Sequence, residues 1–146
     1  MGRISASVAL PYPPDLVFRV ATRVEDLPRW MPEVVSAKVL DPALAVGSRA
    51  SLRLSAAAAG AEVMATVTEL VPPSRLVMKG SGGPLGVTVA VSLREAGVGT
   101  TEATVEVDLT TPPFLGFVGR EVERKLNAGL PGALERLRAL IEAEPA

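Results

Sequence analysis

The chain of 146 residues has the length of a single domain with one hydrophobic core, and residues 1–146 are expected to form it. Its 15 basic and 16 acidic residues give a net charge of −1 and gather into no long run, so a nucleic-acid partner is not expected. The absence of Cys and His excludes disulfides, thiolate nucleophiles, imidazole bases and ordinary zinc sites, and we predict no metal and no cofactor.

Hydrophobic residues make up 48 % of the chain, yet charged residues interrupt every apolar run before the roughly 18 residues that a membrane span needs. No membrane span is therefore predicted. Residues 1–10 alternate polar and apolar side chains instead of presenting a basic patch followed by an apolar block. They do not resemble a secretion signal, and a cytoplasmic location is expected.

One strand and two short helices are predicted at the start of the chain. Apolar residues at every second position predict the strand: Ile4, Ala6, Val8 and Leu10. Pro14 and Asp15 suit the first turn of a helix, which is predicted to continue over 16–23. A second short helix is predicted over 25–31, because Pro32 disfavours helical geometry at the residue before it.

Six further strands are predicted in the middle of the chain. They cover residues 34–40, 49–57, 62–71, 75–80, 85–94 and 101–110. The joins between them are short and rich in Gly and Pro, so neighbouring strands are expected to pair antiparallel. The four-alanine tract 56–59 is expected to end a strand at a hairpin.

The end of the chain predicts one long amphipathic helix. Its apolar residues recur at intervals of three and four: Val118, Val122, Leu126, Leu130, Leu134, Leu137 and Ile141. Pro131 removes one backbone hydrogen bond and has Gly129 and Gly132 close by, so a kink is expected there.

This order of elements resembles the helix-grip fold of the START-like superfamily, the polyketide cyclase/dehydrase and lipid transport group. The segments that carry the resemblance are PPDLVF (13–18), DLPRWMPEV (26–34), TEL (68–70) with PPSRL (72–76), and LERL (134–137). The resemblance covers essentially the whole chain. It implies an α+β fold in which a seven-stranded antiparallel sheet wraps around a long C-terminal helix, with two short helices after the first strand.

Two groups within that superfamily are similar in more detail. The spacing of Pro28, Trp30 and Pro32 resembles the coenzyme-Q-binding cyclase-like proteins, with Leu27 and Trp30 in place of a Tyr and a Phe. Another similar group is the accessory, maturation-type component of carbon monoxide dehydrogenase. That second resemblance implies a maturation protein whose sheet or helix binds another polypeptide.

All five aromatic residues lie near the two ends of the chain, and small side chains line the strands between them. The concave side of the sheet therefore has no ring to fill it, and we predict a cavity that binds a lipid, quinone or polycyclic metabolite. The predicted lining comprises Leu54, Val67, Met78, Val89, Val91, Val105 and Val107 from strands and Leu126 and Leu130 from the helix. Phe18, Trp30, Met31 and Phe117 are further candidates for contact with the ligand.

Several aromatic side chains and one acid have alternative interpretations. Trp30 can stack on a ligand or fill the corner between the short helices and the sheet. Phe114 and Phe117 are placed to form a flap before the last helix. Glu69 continues the inward parity of a regular strand, which makes it the weak candidate for general acid or base in a cyclase or dehydratase. Its position at the end of that strand favours a solvated rim instead.

Overall fold

The computed structural model describes residues 2–31, 33–55, 60–83 and 85–144. Its strands are β1 (Gly2–Leu10), β2 (Val34–Val39), β3 (Arg49–Leu54), β4 (Glu62–Val71), β5 (Arg75–Gly82), β6 (Leu85–Gly97) and β7 (Thr100–Thr110). Its α-helices are α1 (Pro14–Ala21), α2 (Leu27–Trp30) and α3 (Gly116–Glu142). Single turns of 3₁₀ helix precede α2 at Val24–Asp26 and α3 at Pro113–Leu115.

The described strands form one antiparallel sheet of seven strands in the order β1-β7-β6-β5-β4-β3-β2. Apart from the pairing of β1 with β7, each strand pairs with its neighbour in sequence, as the short Gly- and Pro-rich joins predict. The predicted α+β fold is confirmed. Pro32 and the predicted hairpin at 56–59 lie outside the described residues.

Burial alternates along the strands, so that the sheet has one buried face and one wet face. In β7 every second residue is buried: Thr101, Ala103, Val105, Val107 and Leu109. The residues between them are only half-buried. Successive side chains of a strand point to opposite faces, so this pattern defines a concave apolar face that packs toward the helices.

Helix α3 packs across the concave face with its apolar stripe toward the sheet. The buried residues of that stripe include Val122, Leu130, Leu134, Leu137 and Ile141. The helix contacts β1 most extensively and also packs against α1 and α2. It runs continuously through Pro131. In the described part of the chain no helix is both long enough and apolar enough to cross a bilayer.

Arginine side chains tie the second half of α3 to the start of the chain. The Nη2 of Arg138 donates to the backbone oxygen of Ala9 at 2.9 Å. Two guanidinium nitrogens of Arg23, which follows α1, donate to the Glu144 carboxylate at 2.8 Å each. These bonds hold the end of the helix over the β1 edge of the sheet, so the space under the central strands lies beside its middle, residues 122–133.

Candidate functional site

A cavity lies between the concave face of the sheet and α3. Its volume, measured as the space open to the centre of a water molecule, is about 100 Å³. One water molecule needs about 10–15 Å³ on this measure, so the space is roughly seven to ten times larger than a single-water void. It has room for a small organic molecule.

Three parts of the molecule build the wall. Strands β3 to β7 supply Leu52, Leu54, Val63, Ala65, Leu76, Met78, Gly80, Leu85, Val87, Val89, Val91, Val107 and Leu109. Helix α3 supplies Val122, Leu126, Gly129, Leu130 and Ala133. The segment 21–34, which we call the helical corner, supplies Ala21, Thr22, Val24, Leu27, Trp30, Met31, Glu33 and Val34. The described lining includes no residue of β1, because α3 packs directly against that strand.

The described lining is almost wholly apolar. Apart from the indole of Trp30, its polar side chains are those of Thr22 and Glu33, and it contains no Lys and no Arg. An apolar wall with few polar groups is typical of pockets that bind small organic ligands.

The structure places most of the predicted lining residues on this wall. Those that line it are Trp30, Met31, Leu54, Met78, Val89, Val91, Val107, Leu126 and Leu130. Those that do not are Phe18, Val67, Val105 and Phe117. The residues of the second set lie outside the open space between α3 and the sheet.

Three of the four residues outside the lining are buried in the surrounding core. Val105 pairs with Ala6 of β1, the strand that α3 covers, and is 0 % exposed. Val67 exchanges backbone hydrogen bonds with the loop at Gly47 and Ser48 and is also buried. Phe18 is buried on the core face of α1. Strand alternation therefore placed Val67 and Val105 correctly on the inner face, but they and Phe18 lie in the packed core beside the cavity.

Phe117 is not part of the cavity wall. The helix begins at Gly116, so Phe117 lies in its first turn, two residues before the buried Gly119. Residues two apart on a helix point to different sides, and Phe117 is accordingly 63 % exposed. Phe114 is 77 % exposed. The two rings of the predicted flap both face solvent.

Glu69 lies on the outer face of the sheet. The register of β4 shifts between Val67 and Glu69, so Val67 pairs with Met78 whereas Glu69 pairs with Val77. Because Met78 lines the cavity, its neighbour Val77 faces outward, and Glu69 faces outward with it. The side chain is 46 % exposed, and its Oε1 accepts a hydrogen bond from Arg75 Nε at 3.1 Å. The inward placement expected of a regular strand does not hold, because this strand contains a bulge.

The prediction from the sequence omits several residues that line the cavity. Strand alternation could have identified some of them, but not others. Leu76 shares the parity of Met78, and Val87 shares that of Val89, so strand alternation could have identified both. Glu33 precedes β2 and belongs to no periodic pattern. Its place on the cavity wall follows from the turn of the helical corner, which the sequence does not reveal.

Trp30 lies at the meeting point of the helical corner, α3 and the cavity. Its side chain is 0 % exposed, and its Nε1 has no hydrogen-bond partner. Its backbone oxygen accepts a hydrogen bond from Arg136 Nε at 3.3 Å, which fixes α2 against α3. The residue thus fills the corner and also forms part of the cavity wall.

The two other polar side chains of the wall already have partners. Glu33 Oε2 accepts a hydrogen bond from Ser55 Oγ at 2.8 Å. The Thr22 hydroxyl donates to the backbone oxygen of Phe18 at 2.6 Å. Glu33 keeps a second carboxylate oxygen and the Thr22 hydroxyl oxygen keeps its lone pairs, so both groups can accept a further hydrogen bond.

The displaced pKa values among the described residues belong to groups outside the wall. The backbone N–H of Arg49 donates to Asp41 Oδ2 at 2.7 Å and lowers the pKa of Asp41. The paired hydrogen bonds from Arg23 lower the pKa of Glu144. Within the described ranges no group of three acidic residues is placed to hold a metal ion.

Comparison with known proteins gives one family match and many structural matches. Residues 1–142 match the family model for polyketide cyclase/dehydrase and lipid transport proteins. No curated protein matches the sequence.

Three solved structures illustrate the shared fold. The Thermus thermophilus protein TTHA0849 superposes with a TM-score of 0.80 and 19 % identity, over 99 % of this chain and 100 % of the other. A START superfamily protein from Mycobacterium smegmatis has a TM-score of 0.76 and 16 % identity, over 96 % and 97 %. The Zhui aromatase/cyclase from Streptomyces sp. R1128 has a TM-score of 0.76 and 13 % identity, over 97 % and 93 %. At these identities the likeness shows the fold.

Proposed function

The chain belongs to the polyketide cyclase/dehydrase and lipid transport family, and from this premise we propose that it binds a small apolar ligand, such as a lipid, quinone or polycyclic metabolite. The ligand occupies the cavity between α3 and the central strands. Residues 1–146 act as one domain in this proposal.

The apolar wall is the observation that carries the proposal. Most protein interiors are packed nearly as densely as organic crystals, whereas this one keeps a void bordered by valine, leucine and methionine side chains. Each Å² of apolar ligand surface that leaves water contributes about 25 cal/mol, so about 200 Å² would contribute about 5 kcal/mol before the cost of association. Because the wall offers few polar groups, we expect broad specificity.

Native mass spectrometry of freshly purified protein tests the proposal. We expect either a retained apolar compound or uptake of one equivalent of phenylnaphthylamine, a naphthalene dye that fluoresces in apolar surroundings. A protein that carries no compound and takes up no dye would contradict the proposal.

A matched variant tests whether the dye binds to exposed rings on the surface instead of in the cavity. Phe114 and Phe117 are both more than half exposed and could bind an apolar dye at the surface. Replacing both with alanine should leave the stoichiometry and the affinity unchanged. If the double variant no longer binds the dye, the surface and not the cavity is the site.

A dehydratase activity is the second candidate, and the Glu33 carboxylate on the cavity wall favours it. In such a reaction the carboxylate takes a proton from the carbon next to a ketone and then gives it to the hydroxyl on the following carbon, so that the C–O bond breaks, water leaves and a C=C bond forms. The test supplies the β-hydroxy ketone precursor of benzalacetone and monitors the formation of benzalacetone by its absorbance. Wild type should convert it and Glu33→Gln should not. Equal rates in both proteins would remove this candidate and leave ligand binding.

A further inference from the structure

The indole N–H of Trp30 has an unmet hydrogen-bonding requirement. The side chain is 0 % exposed, so water does not reach it, and its Nε1 has no protein partner. A buried donor without an acceptor costs free energy comparable to a lost hydrogen bond. Nearly all such groups in native proteins have a partner, so an orphaned one on a cavity wall points to an acceptor that enters the cavity.

The other polar groups of the wall do not meet this requirement. Thr22 donates its hydroxyl to the Phe18 carbonyl, and Glu33 accepts its hydrogen bond from Ser55. Neither of them accepts a hydrogen bond from Trp30 Nε1. Nothing among the described lining residues supplies the missing acceptor.

We propose that the ligand carries a neutral oxygen acceptor, a carbonyl or a hydroxyl, that accepts a hydrogen bond from Trp30 Nε1. This inference rests on the proposed function of the cavity and adds the chemistry of the ligand's polar end. Because the indole is 0 % exposed, the ligand must displace the side chains that cover the nitrogen to bring the acceptor within about 3 Å of it. The apolar body of the ligand then extends along the wall formed by the strands and α3.

The charge of the wall selects a neutral acceptor over an anionic one. The described lining contains no Lys or Arg that could pair with a carboxylate or phosphate. It does contain the Glu33 carboxylate, which would repel an anion in an apolar space where charges interact strongly. Ketones, quinones and alcohols fit this wall better than fatty-acid anions.

The chain has a single Trp, so one indole N–H resonance in the NMR spectrum of isotope-labelled protein reports on this group alone. Three naphthalene probes of similar size supply the comparison: naphthyl methyl ketone, ethylnaphthalene and naphthoate. The ketone should move the indole resonance downfield, and ethylnaphthalene should move it much less. The ketone should also bind about tenfold more tightly than ethylnaphthalene, which is the effect of one buried hydrogen bond. Naphthoate should bind most weakly.

Trp30→Phe keeps an aromatic ring in the corner and removes the N–H. We expect it to abolish the preference for the ketone while ethylnaphthalene still binds. If the variant does not fold, the indole resonance of the wild type decides the matter by itself.

The remaining outcomes separate the two proposals. Equal binding of ketone and hydrocarbon, with an unmoved indole resonance, overturns the neutral acceptor and leaves the apolar cavity intact. Tightest binding of naphthoate overturns the neutral acceptor in favour of an anion. Failure of all three probes to bind overturns the proposed function and the inference with it.

Discussion

Filling the cavity from the middle of its wall should close it to ligands while the fold is kept. Val89 of β6 pairs with Met78 on one side and Val107 on the other, and all three residues line the cavity. Val89→Phe places a ring in the open space. We expect the affinity for phenylnaphthylamine to fall at least about tenfold, because the ring and the dye would compete for the same volume.

The cavity volume sets the size of the stability effect. Cavities in protein cores cost about 24 cal/mol per Å³, so filling all of the about 100 Å³ would contribute about 2.4 kcal/mol. A ring that fills about half of it should contribute about 1 kcal/mol, which raises the unfolding temperature by about 3 °C in a domain of this size. Urea unfolding and a fluorescence titration measure the two effects.

The control is the same substitution on the other face of the neighbouring strand. Val77 of β5 pairs with Ala90 and Glu69 and points away from the cavity. Val77→Phe should change the free energy of unfolding by no more than about 0.5 kcal/mol and should bind the dye as wild type does. If Val89→Phe lowered stability by several kcal/mol and still bound the dye normally, the void would not be the ligand site.

Three further predictions concern the rest of the molecule. Glu69→Gln should bind phenylnaphthylamine with wild-type affinity, because the carboxylate lies on the outer face; a tenfold loss in the titration would contradict that placement. Gly80→Ala should lower the free energy of unfolding by about 1–3 kcal/mol, since its Cβ would lie 2.5 Å from the Met64 backbone oxygen. Gly132→Ala lies on the open side of α3 and should raise the free energy of unfolding by up to about 1 kcal/mol. The hydrogen bonds to Glu144 lower its pKa below the ordinary value of 4.5, so their contribution is complete above pH 4.5 and is lost as the pH falls through the folded-state pKa. Urea midpoints of the wild type should therefore fall more steeply below pH 4.5 than those of Glu144→Gln, and parallel curves would refute this.

Strand periodicity and helix periodicity predict the elements and which of their faces are buried, whereas the wrapping of the sheet around the long helix is implied by the family resemblance. Alternation in β1 from Ile4 to Leu10 and the stripe from Val122 to Ile141 both reflect burial on one face, which the sequence displays directly. The same alternation places Met78, Val89 and Val107 on the concave face. These predictions depend only on which side of an element a residue occupies.

The errors arise where local geometry breaks the period. The bulge between Val67 and Glu69 reverses the parity of the following residues, so the inward alternative for Glu69 does not hold and the favoured solvated position does. The consecutive polar residues Thr68 and Glu69 before Leu70 mark this break in the sequence. Phe117 lies outside the cavity wall because the helix already begins at Gly116 and turns this ring to solvent. Helix boundaries depend on capping and packing more than on periodicity.

The polar side chains of the cavity wall can be predicted only in part. The rigid face and single N–H of Trp30 mark it as a candidate from its chemistry. Its missing hydrogen-bond partner depends on what packs around the indole, and that is a property of the folded chain. Glu33 lies on the wall directly before β2, outside any periodic element.

Locating a bound apolar compound in a crystal tests the central claim most directly. Crystals grown with bromonaphthalene would show the bromine atom by its anomalous scattering. We expect one peak between the central strands and the middle of α3, in contact with Met78 and Leu126. A filled interior with no peak, or a peak only beside the exposed rings of Phe114 and Phe117, would contradict the assignment of this cavity as the ligand site.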